Sequence, residues 1–157
     1  MHVFVFDGTK NYSYSVSRTL YVRRDVLNAE AIRTWAKSAG FDTVVPAEEM
    51  HVTCAYSRTP VDWALVPRDD GLPLTCDGPR LLERLGDEGA IVLKFTSLKL
   101  TARHRIIREA GASWELPEKY TPHVTITYDN PNGLDPATIR PYGGVIELGP
   151  EIFEELD

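Results

Sequence analysis

Cysteine is scarce in this sequence, with Cys54 and Cys76 as its only two in 157 residues. The two lie far apart and form no Cys-x-x-Cys pair, so neither a disulfide framework nor a zinc site is predicted. Such sparing use of cysteine is expected of a protein that works in a reducing cytoplasm.

Long hydrophobic runs are also missing. The longest apolar runs, such as AIVLKF over 90–95, have the length of a strand and are far too short to cross a bilayer. The N-terminal residues show no basic segment followed by an apolar core, so no signal peptide is expected. We therefore predict no membrane association.

Positive charge is in deficit, because 17 Lys and Arg residues face 23 Asp and Glu, which gives a formal net charge of −6. A protein that binds long nucleic acid needs a broad basic surface, and this balance argues against one. A few local donors can still hold one phosphate against an acidic average. A small phosphorylated ligand therefore remains possible.

What the sequence does contain is an ordinary globular composition, with 43% apolar residues. That share and the chain length predict one domain over 1–157 with a core large enough to be stable. Alternating apolar and polar residues predict the strands. The predicted strands cover 3–6, 20–22, 50–56, 72–75, 80–85, 90–96, 122–128 and 144–148.

Two helices are predicted between these strands. The first covers 29–39, with Asn28 as its N-cap and Gly40 just beyond its C-terminus. The second starts at Ser97 or Thr101 and ends at Gly111. Strands, a helix and a strand thus occur twice along the chain, which favours an α+β fold. We expect two lobes of antiparallel sheet that face a central cleft, with the helices outside.

The strand that follows the helix in each half carries the same short motif. HVTCAYS begins at His51 and HVTITYD begins at His123, although the chain has only four histidines. Since strand side chains alternate between faces, His51 and Thr53 point to one side, as do His123 and Thr125. The apolar residues between them face the core. Each strand therefore presents an imidazole and a hydroxyl together.

Two such motifs suit the cleavage of a phosphodiester. Histidine gives or takes protons near neutrality, so one imidazole can serve as base and the other as acid. Threonine hydroxyls can donate to the non-bridging oxygens, where negative charge sits in the transition state. Acid, base and anion donors are then all side chains, so no cofactor is predicted. A metal site is disfavoured because no Asp or Glu cluster accompanies the histidines.

The paired motifs resemble those of the two-histidine (2H) phosphoesterase superfamily, and within it the phage anti-CBASS cyclic-oligonucleotide phosphodiesterases. The resemblance covers nearly everything from Leu20 onward. Its segments are LYVRRDVLNA from Leu20, MHVTCAYSRTPVDW from Met50, GPRLLERLGD from Gly78, HRIIREAGASWELPEKYTPHVTITY from His104 and IELGPEIFEE from Ile146.

The resemblance implies a substrate class that composition and spacing do not. Such enzymes cut cyclic di- or trinucleotides and related cyclic oligonucleotides, the bacterial second messengers of antiphage defence, such as 3′,3′-cGAMP. The expected location is the cytoplasm of the infected bacterium. The catalytic residues carried over are His51, Thr53, His123 and Thr125. The family's upstream pocket Tyr matches Tyr21, and its C-terminal Glu best matches Glu151, with Glu147 as the alternative.

The role of Trp63 stays open between two possibilities. In the loop predicted over 58–71, its ring could stack on a base of the substrate, or it could pin that loop to the body of the protein. His104 lies inside the second predicted helix, where a structural role is favoured.

Two other functions compete with the leading hypothesis. One is an RNA-end processor that acts on 2′,3′-cyclic phosphates or 2′–5′ linkages, against which the acidic charge speaks. The other is a sponge that sequesters the nucleotide without cutting it. A sponge needs neither an acid nor a base, and both histidines are intact. Neither base preference nor oligomeric state is predicted.

Overall fold

The computed structural model describes residues 2–6, 11–69, 71, 73–86, 89–116 and 118–156. Within these ranges the chain forms nine strands and two α-helices. In chain order they are β1 (His2–Phe6), β2 (Asn11–Ser15), β3 (Ser17–Val26), α1 (Ala29–Ala39), β4 (His51–Asp62), β5 (Leu74–Cys76), β6 (Arg80–Leu85), β7 (Ala90–Phe95), α2 (Leu98–Glu109), β8 (His123–Thr127) and β9 (Ile146–Glu154).

The sheet confirms the predicted α+β class. Over the described residues, β3 to β9 form one curled, antiparallel, seven-stranded sheet in the order β5-β9-β3-β4-β8-β7-β6. The expected cleft between two sheets is thus one face of a single curled sheet. The two strands that carry the HVT motifs, β4 and β8, are neighbours in its middle. β1 and β2 pair with each other, and β2 was not predicted.

The core lies on the face of the sheet opposite the motifs. Val52 of β4 pairs with Val124 of β8, and both side chains are fully buried. The apolar residues of both helices join the same core, including Ile32 of α1 and Leu100 and Ile107 of α2. Burying each such side chain stabilises the fold by roughly 1.5–3 kcal/mol. We call this side of the sheet the core face and the other the motif face.

The ends of α1 show one expected cap and one unexpected contact. Gly40 adopts a φ of 108°, and its N–H donates to carbonyls of the last turn, as the sequence predicts. Asn28 makes no side-chain capping bond. Its amide instead donates to the Val145 carbonyl at 2.8 Å and accepts from the Glu147 N–H at 3.0 Å. The side chain that was expected to cap the helix therefore ties it to β9.

The start of α2 settles a choice that the sequence left open. The Ser97 hydroxyl accepts from the Leu100 N–H at 3.2 Å, so Ser97 is the N-cap rather than Thr101. No helix in the described part of the chain has the length and apolar character needed to cross a membrane.

β3, β4 and β9 extend well beyond the residues predicted for them. β4 continues to Asp62 through Pro60, although Pro60 and its neighbours were expected to form a loop. The register between β4 and β3 shifts just there, and a proline inside a sheet is tolerated at such irregularities. β9 likewise runs on to Glu154 because it pairs with β3. Pairing between strands thus overrides the local turn signals.

Candidate active site

The antiparallel register brings the two HVT motifs side by side. With Val52 opposite Val124, Thr53 lies toward His123 and His51 lies toward Thr125. Because Val52 and Val124 point into the core, the four polar side chains point to the motif face. The sequence predicted this shared orientation, and the structure brings all four residues together.

The two imidazoles are held in the same way. His51 Nδ1 lies 2.7 Å from the Glu49 carbonyl, and His123 Nδ1 lies 2.9 Å from the Thr121 carbonyl, in each case two residues upstream. A carbonyl oxygen only accepts, so Nδ1 carries the proton in both rings. The Nε2 atom of each ring is then left for acid–base work. In both motifs, the same hydrogen bond to the carbonyl two residues upstream fixes the orientation of the ring relative to its strand.

Burial changes the acid–base behaviour of His123. It lowers the pKa of His123 below the usual 6.5, and the positive charges of Lys94 and His51 act in the same direction. Lys94 lies opposite His123 in the register of β7 and β8. The bond to the Thr121 carbonyl and the charge of Glu118 oppose this shift but are not the leading cause. His123 is therefore held in its neutral form near pH 7.

Tyr21 connects the first motif to β3. Its hydroxyl lies 3.4 Å from Thr53 Oγ1, and its ring meets His51 edge-on, with the centroids 6.2 Å apart. Burial raises the pKa of Tyr21, and the hydrogen bond with Thr53 only partly opposes this. The phenol therefore stays protonated at neutral pH and can donate a hydrogen bond. The structure thus brings Tyr21 into the site.

A cavity of about 400 Å³ opens beside His51 on the motif face. Arg23 carries the positive charge of its wall, and Glu48 and Glu49 carry negative charge. Tyr128, at the same offset from its motif as Tyr56, is 63% exposed at this cavity. The lining residues are Tyr21, Arg23, Glu48, Glu49, His51 and Tyr128.

Glu151 is not brought to this cavity. Its carboxylate receives two hydrogen bonds from Arg103 of α2, at 2.7 and 2.9 Å, and its side chain is only 6% exposed. Glu151 lies opposite Arg24 in the register of β9 and β3, and the Arg24 side chain is buried on the core face. Glu151, which the resemblance assigned to the pocket, therefore does not line this cavity. The alternative, Glu147, lies farther along β9, opposite Thr75.

Glu154 of β9, which the sequence analysis did not single out, bonds to a residue of the cavity wall. It pairs with Tyr21, and Arg23 Nη2 donates to its carboxylate at 2.9 Å. Strand alternation could have found it, since Glu154 and Glu151 fall on opposite faces of one strand. The strand was predicted to end at 148, so that signal was not applied. Glu154, and not Glu151, is thus the glutamate that bonds to Arg23 of the cavity wall.

Trp63 is held away from the cavity. The Arg18 guanidinium lies 3.4 Å from the centroid of its ring, and its indole N–H donates to the Thr19 carbonyl at 3.2 Å. Its ring also meets Phe153 edge-on, with the centroids 5.8 Å apart. These contacts correspond to the anchoring role rather than to base stacking.

The described residues contain no group of three or more His, Cys, Asp or Glu side chains arranged to hold a metal ion.

Comparison with solved structures gives the class of the fold. The chain matches E. coli LigT complexed with 3′-AMP at a TM-score of 0.59, with 16% identity, over 91% of this chain and 96% of that one. The apo form of LigT matches at 0.57 with 18% identity and the same coverage. The fold is that of the two-histidine phosphoesterases.

Comparison of sequences is more specific. The family model described as "Anti-CBASS protein Acb1" matches residues 18–157, and the chain belongs to this family. Proteins named Anti-CBASS protein Acb1 from a Caulobacter strain and from Sphingomonas paeninsulae are 48% and 44% identical, over 89% and 88% of the chain. The chain spans 23% of the length of each. The Enterobacteria phage T4 protein of that name is 30% identical over 66% of each chain.

Proposed function

We propose that the chain is a metal-independent phosphodiesterase that opens cyclic di- or oligonucleotide second messengers and so lets a phage evade CBASS defence. The observation that carries this proposal is the pair of imidazoles on adjacent strands. Each is held through Nδ1, and each keeps Nε2 for proton transfer beside a threonine hydroxyl. The anti-CBASS name of the family supports the biological role.

We assign the role of the base to His123. A general base must be neutral before it accepts a proton, and burial lowers the pKa of His123. His51 then takes the role of the acid. The two rings lie on the same face of neighbouring strands, so they can act on opposite sides of one phosphate.

The reaction we propose breaks one P–O5′ bond. His123 Nε2 takes the proton of the 2′-OH beside the scissile phosphate, and O2′ attacks phosphorus in line. The P–O5′ bond breaks, and His51 Nε2–H gives its proton to O5′. The products are a 2′,3′-cyclic phosphate and a 5′-hydroxyl at the ends of a linear nucleotide. Protons and bonds balance without water as the nucleophile.

The remaining groups bind the phosphate. Thr53 and Thr125 donate from either motif to the non-bridging oxygens, whose charge grows in the transition state. The Tyr21 phenol lies beside Thr53 and is held protonated, so it adds a third donor. Glu154 holds Arg23 at the edge of the same cavity. We infer that a substrate phosphate accepts hydrogen bonds from the uncharged hydroxyls of Thr53, Thr125 and Tyr21. The Arg23 guanidinium, whose charge Glu154 partly neutralises, lies at the edge of the same cavity.

The direct test is to incubate the purified protein with 3′,3′-cGAMP in excess EDTA and to analyse products by mass spectrometry. We expect linear product at the rate seen without EDTA, since all the groups invoked are side chains. Activity that returns only with added divalent ion would indicate metal catalysis. Tight binding without product would indicate a sponge. Cleavage restricted to RNA ends with a 2′,3′-cyclic phosphate would indicate the end-processing alternative.

Glu151 and Glu154 of β9 offer a matched pair of variants. We expect Glu154→Gln to lower kcat/KM by about tenfold to a hundredfold, since a hydrogen bond to a charged group contributes roughly 1.5–3 kcal/mol. Its stability should change little, because Glu154 is nearly half exposed. The measurements are steady-state kinetics and urea unfolding.

Glu151→Gln should give the reverse result. It leaves the buried Arg103 without its ionic partner, so we expect a loss of up to about 3–5 kcal/mol in the free energy of unfolding. Activity per folded molecule should stay near that of the unsubstituted protein. If Glu151→Gln instead abolished turnover at full stability, the pocket glutamate would be Glu151 after all.

A further inference from the structure

The two motif strands are joined by very little backbone. Over the described residues, the ladder between β4 and β8 has one register pair, Val52 with Val124. β4 makes eight such pairs with β3 on its other side. The distance between Thr53 and His123 is therefore not set by a run of backbone hydrogen bonds. Something else must hold the two half-sites in register if they act on one phosphate.

A tyrosine just before β8 supplies such a link. The Tyr120 hydroxyl donates to the Thr53 carbonyl at 2.8 Å. The next residue, Thr121, provides the carbonyl that accepts from His123 Nδ1 at 2.9 Å. One short segment thus contacts the main chain of the first motif and orients the imidazole of the second. The link runs from Thr53 through Tyr120 and Thr121 to His123.

The ring of Tyr120 is itself held from the helix side. It stacks on His104 with centroids 4.0 Å apart and planes 5° from parallel, and it meets Trp114 edge-on at 5.3 Å. His104 Nδ1 lies 2.7 Å from the Cys54 carbonyl. The carbonyls of two consecutive residues of β4 therefore receive side-chain donors from one aromatic pair. This packing holds the Tyr120 ring in the orientation in which its hydroxyl faces the Thr53 carbonyl.

The ionisation states agree with these contacts. Burial raises the pKa of Tyr120, so the phenol stays protonated near neutral pH and remains a donor. Burial also lowers the pKa of His104, so its ring stays neutral near pH 7. Around this ring, Arg108 acts to lower the pKa, and the bond to Cys54 opposes the shift. No charge is then required inside the aromatic cluster.

We propose that Tyr120 is a positioning residue, which holds Thr53 and His123 at the spacing that the reaction needs, with His104 as the support of its ring. This proposal rests on the proposed function of the two motifs. Tyr120 does not line the cavity, and its hydroxyl bonds to the main chain of Thr53, so it acts through the two residues that it joins.

The test is Tyr120→Phe, which removes one oxygen and keeps the stacked ring. We expect kcat to fall about tenfold to a hundredfold, since a misplacement of the order of 1 Å can cost that much. KM should stay within about twofold, because the negative charge that Thr53 stabilises grows only in the transition state. The imidazole ¹⁵N signals of His123 should shift, since the segment that carries its acceptor carbonyl is released.

Tyr142→Phe is the matched control. The Tyr142 hydroxyl also donates to a backbone carbonyl, that of Val145 at 2.9 Å, but away from the motifs. The Tyr142→Phe protein should lose about as much stability as Tyr120→Phe. It should keep the kcat and the His123 ¹⁵N signals of the unsubstituted protein. A Tyr120→Phe protein with unchanged kcat would overturn the proposal. If the unsubstituted protein cleaves no cyclic nucleotide, the proposed function fails, and the His123 signals alone decide whether Tyr120 positions that ring.

Discussion

We expect His51→Ala and His123→Ala each to reduce kcat for cyclic-dinucleotide cleavage by about two to four orders of magnitude, the usual contribution of a positioned acid or base. Each variant keeps the phosphate donors of both motifs, so substrate should still bind. Neither side chain is part of the buried apolar core, so both variants should fold. The measurement is single-turnover cleavage of 3′,3′-cGAMP, followed by product analysis.

Asparagine at the same positions provides a stricter control. Its amide N–H can replace Nδ1–H as donor to the Glu49 or Thr121 carbonyl, yet it transfers no proton. We expect His51→Asn and His123→Asn to lose as much activity as the alanine variants. Near-native turnover in either asparagine variant would contradict the paired mechanism.

The pH profile separates the two histidines. The base must be neutral, so activity falls on the acidic side when His123 becomes protonated. Because burial lowers the pKa of His123, this acidic limb should lie below pH 6.5, and activity should persist at neutral pH. In His123→Ala the remaining activity should lose that limb. If the limb is lost in His51→Ala instead, the roles of base and acid are exchanged.

Removing the substrate's 2′-hydroxyl should have the largest effect of all. A cyclic dinucleotide with 2′-deoxyribose at both positions should bind with an affinity close to that of the ribose compound, because both phosphates and both bases remain. It should resist cleavage, since the proposed nucleophile is absent. An intramolecular hydroxyl held in line is also favoured entropically over free water. Calorimetric titration and product analysis measure the two properties separately.

A mixed substrate supplies the internal control. With one deoxyribose and one ribose, cleavage should occur only at the phosphate attached to the 3′-oxygen of the ribose. Early time points should contain the 2′,3′-cyclic phosphate. Cleavage of the fully deoxy compound at a rate similar to that of the ribose compound would mean that water attacks directly, with one histidine as its base.

The motif residues could be predicted from the sequence because the information is local. His51 and Thr53 are two residues apart on one strand, as are His123 and Thr125. Alternation along a strand places each pair on one face wherever that strand lies in the sheet. The helices were equally accessible, since Gly40 and Ser97 act through contacts within one turn.

Residues whose position depends on a partner strand were harder to predict. Glu151 and Glu154 are three residues apart, and their faces follow only once β9 is known to continue to 154 along β3. Trp63 was open between two roles, because the contact with Arg18 depends on the pairing of the far ends of β3 and β4. Asn28 looked like a cap, but its amide found backbone partners in β9.

The sequence by itself determined the α+β class, the four residues of the two motifs, and the chemistry that two histidines with two threonines can perform. Only the tertiary structure decided that β4 and β8 are neighbours, that Glu154 rather than Glu151 bonds to Arg23 of the cavity wall, and that Tyr120 bonds to Thr53. The physical reason is the separation along the chain over which each effect acts. Alternation and capping act over a few residues, whereas strand pairing and burial join residues that are far apart in the chain and follow from the packing of the whole core.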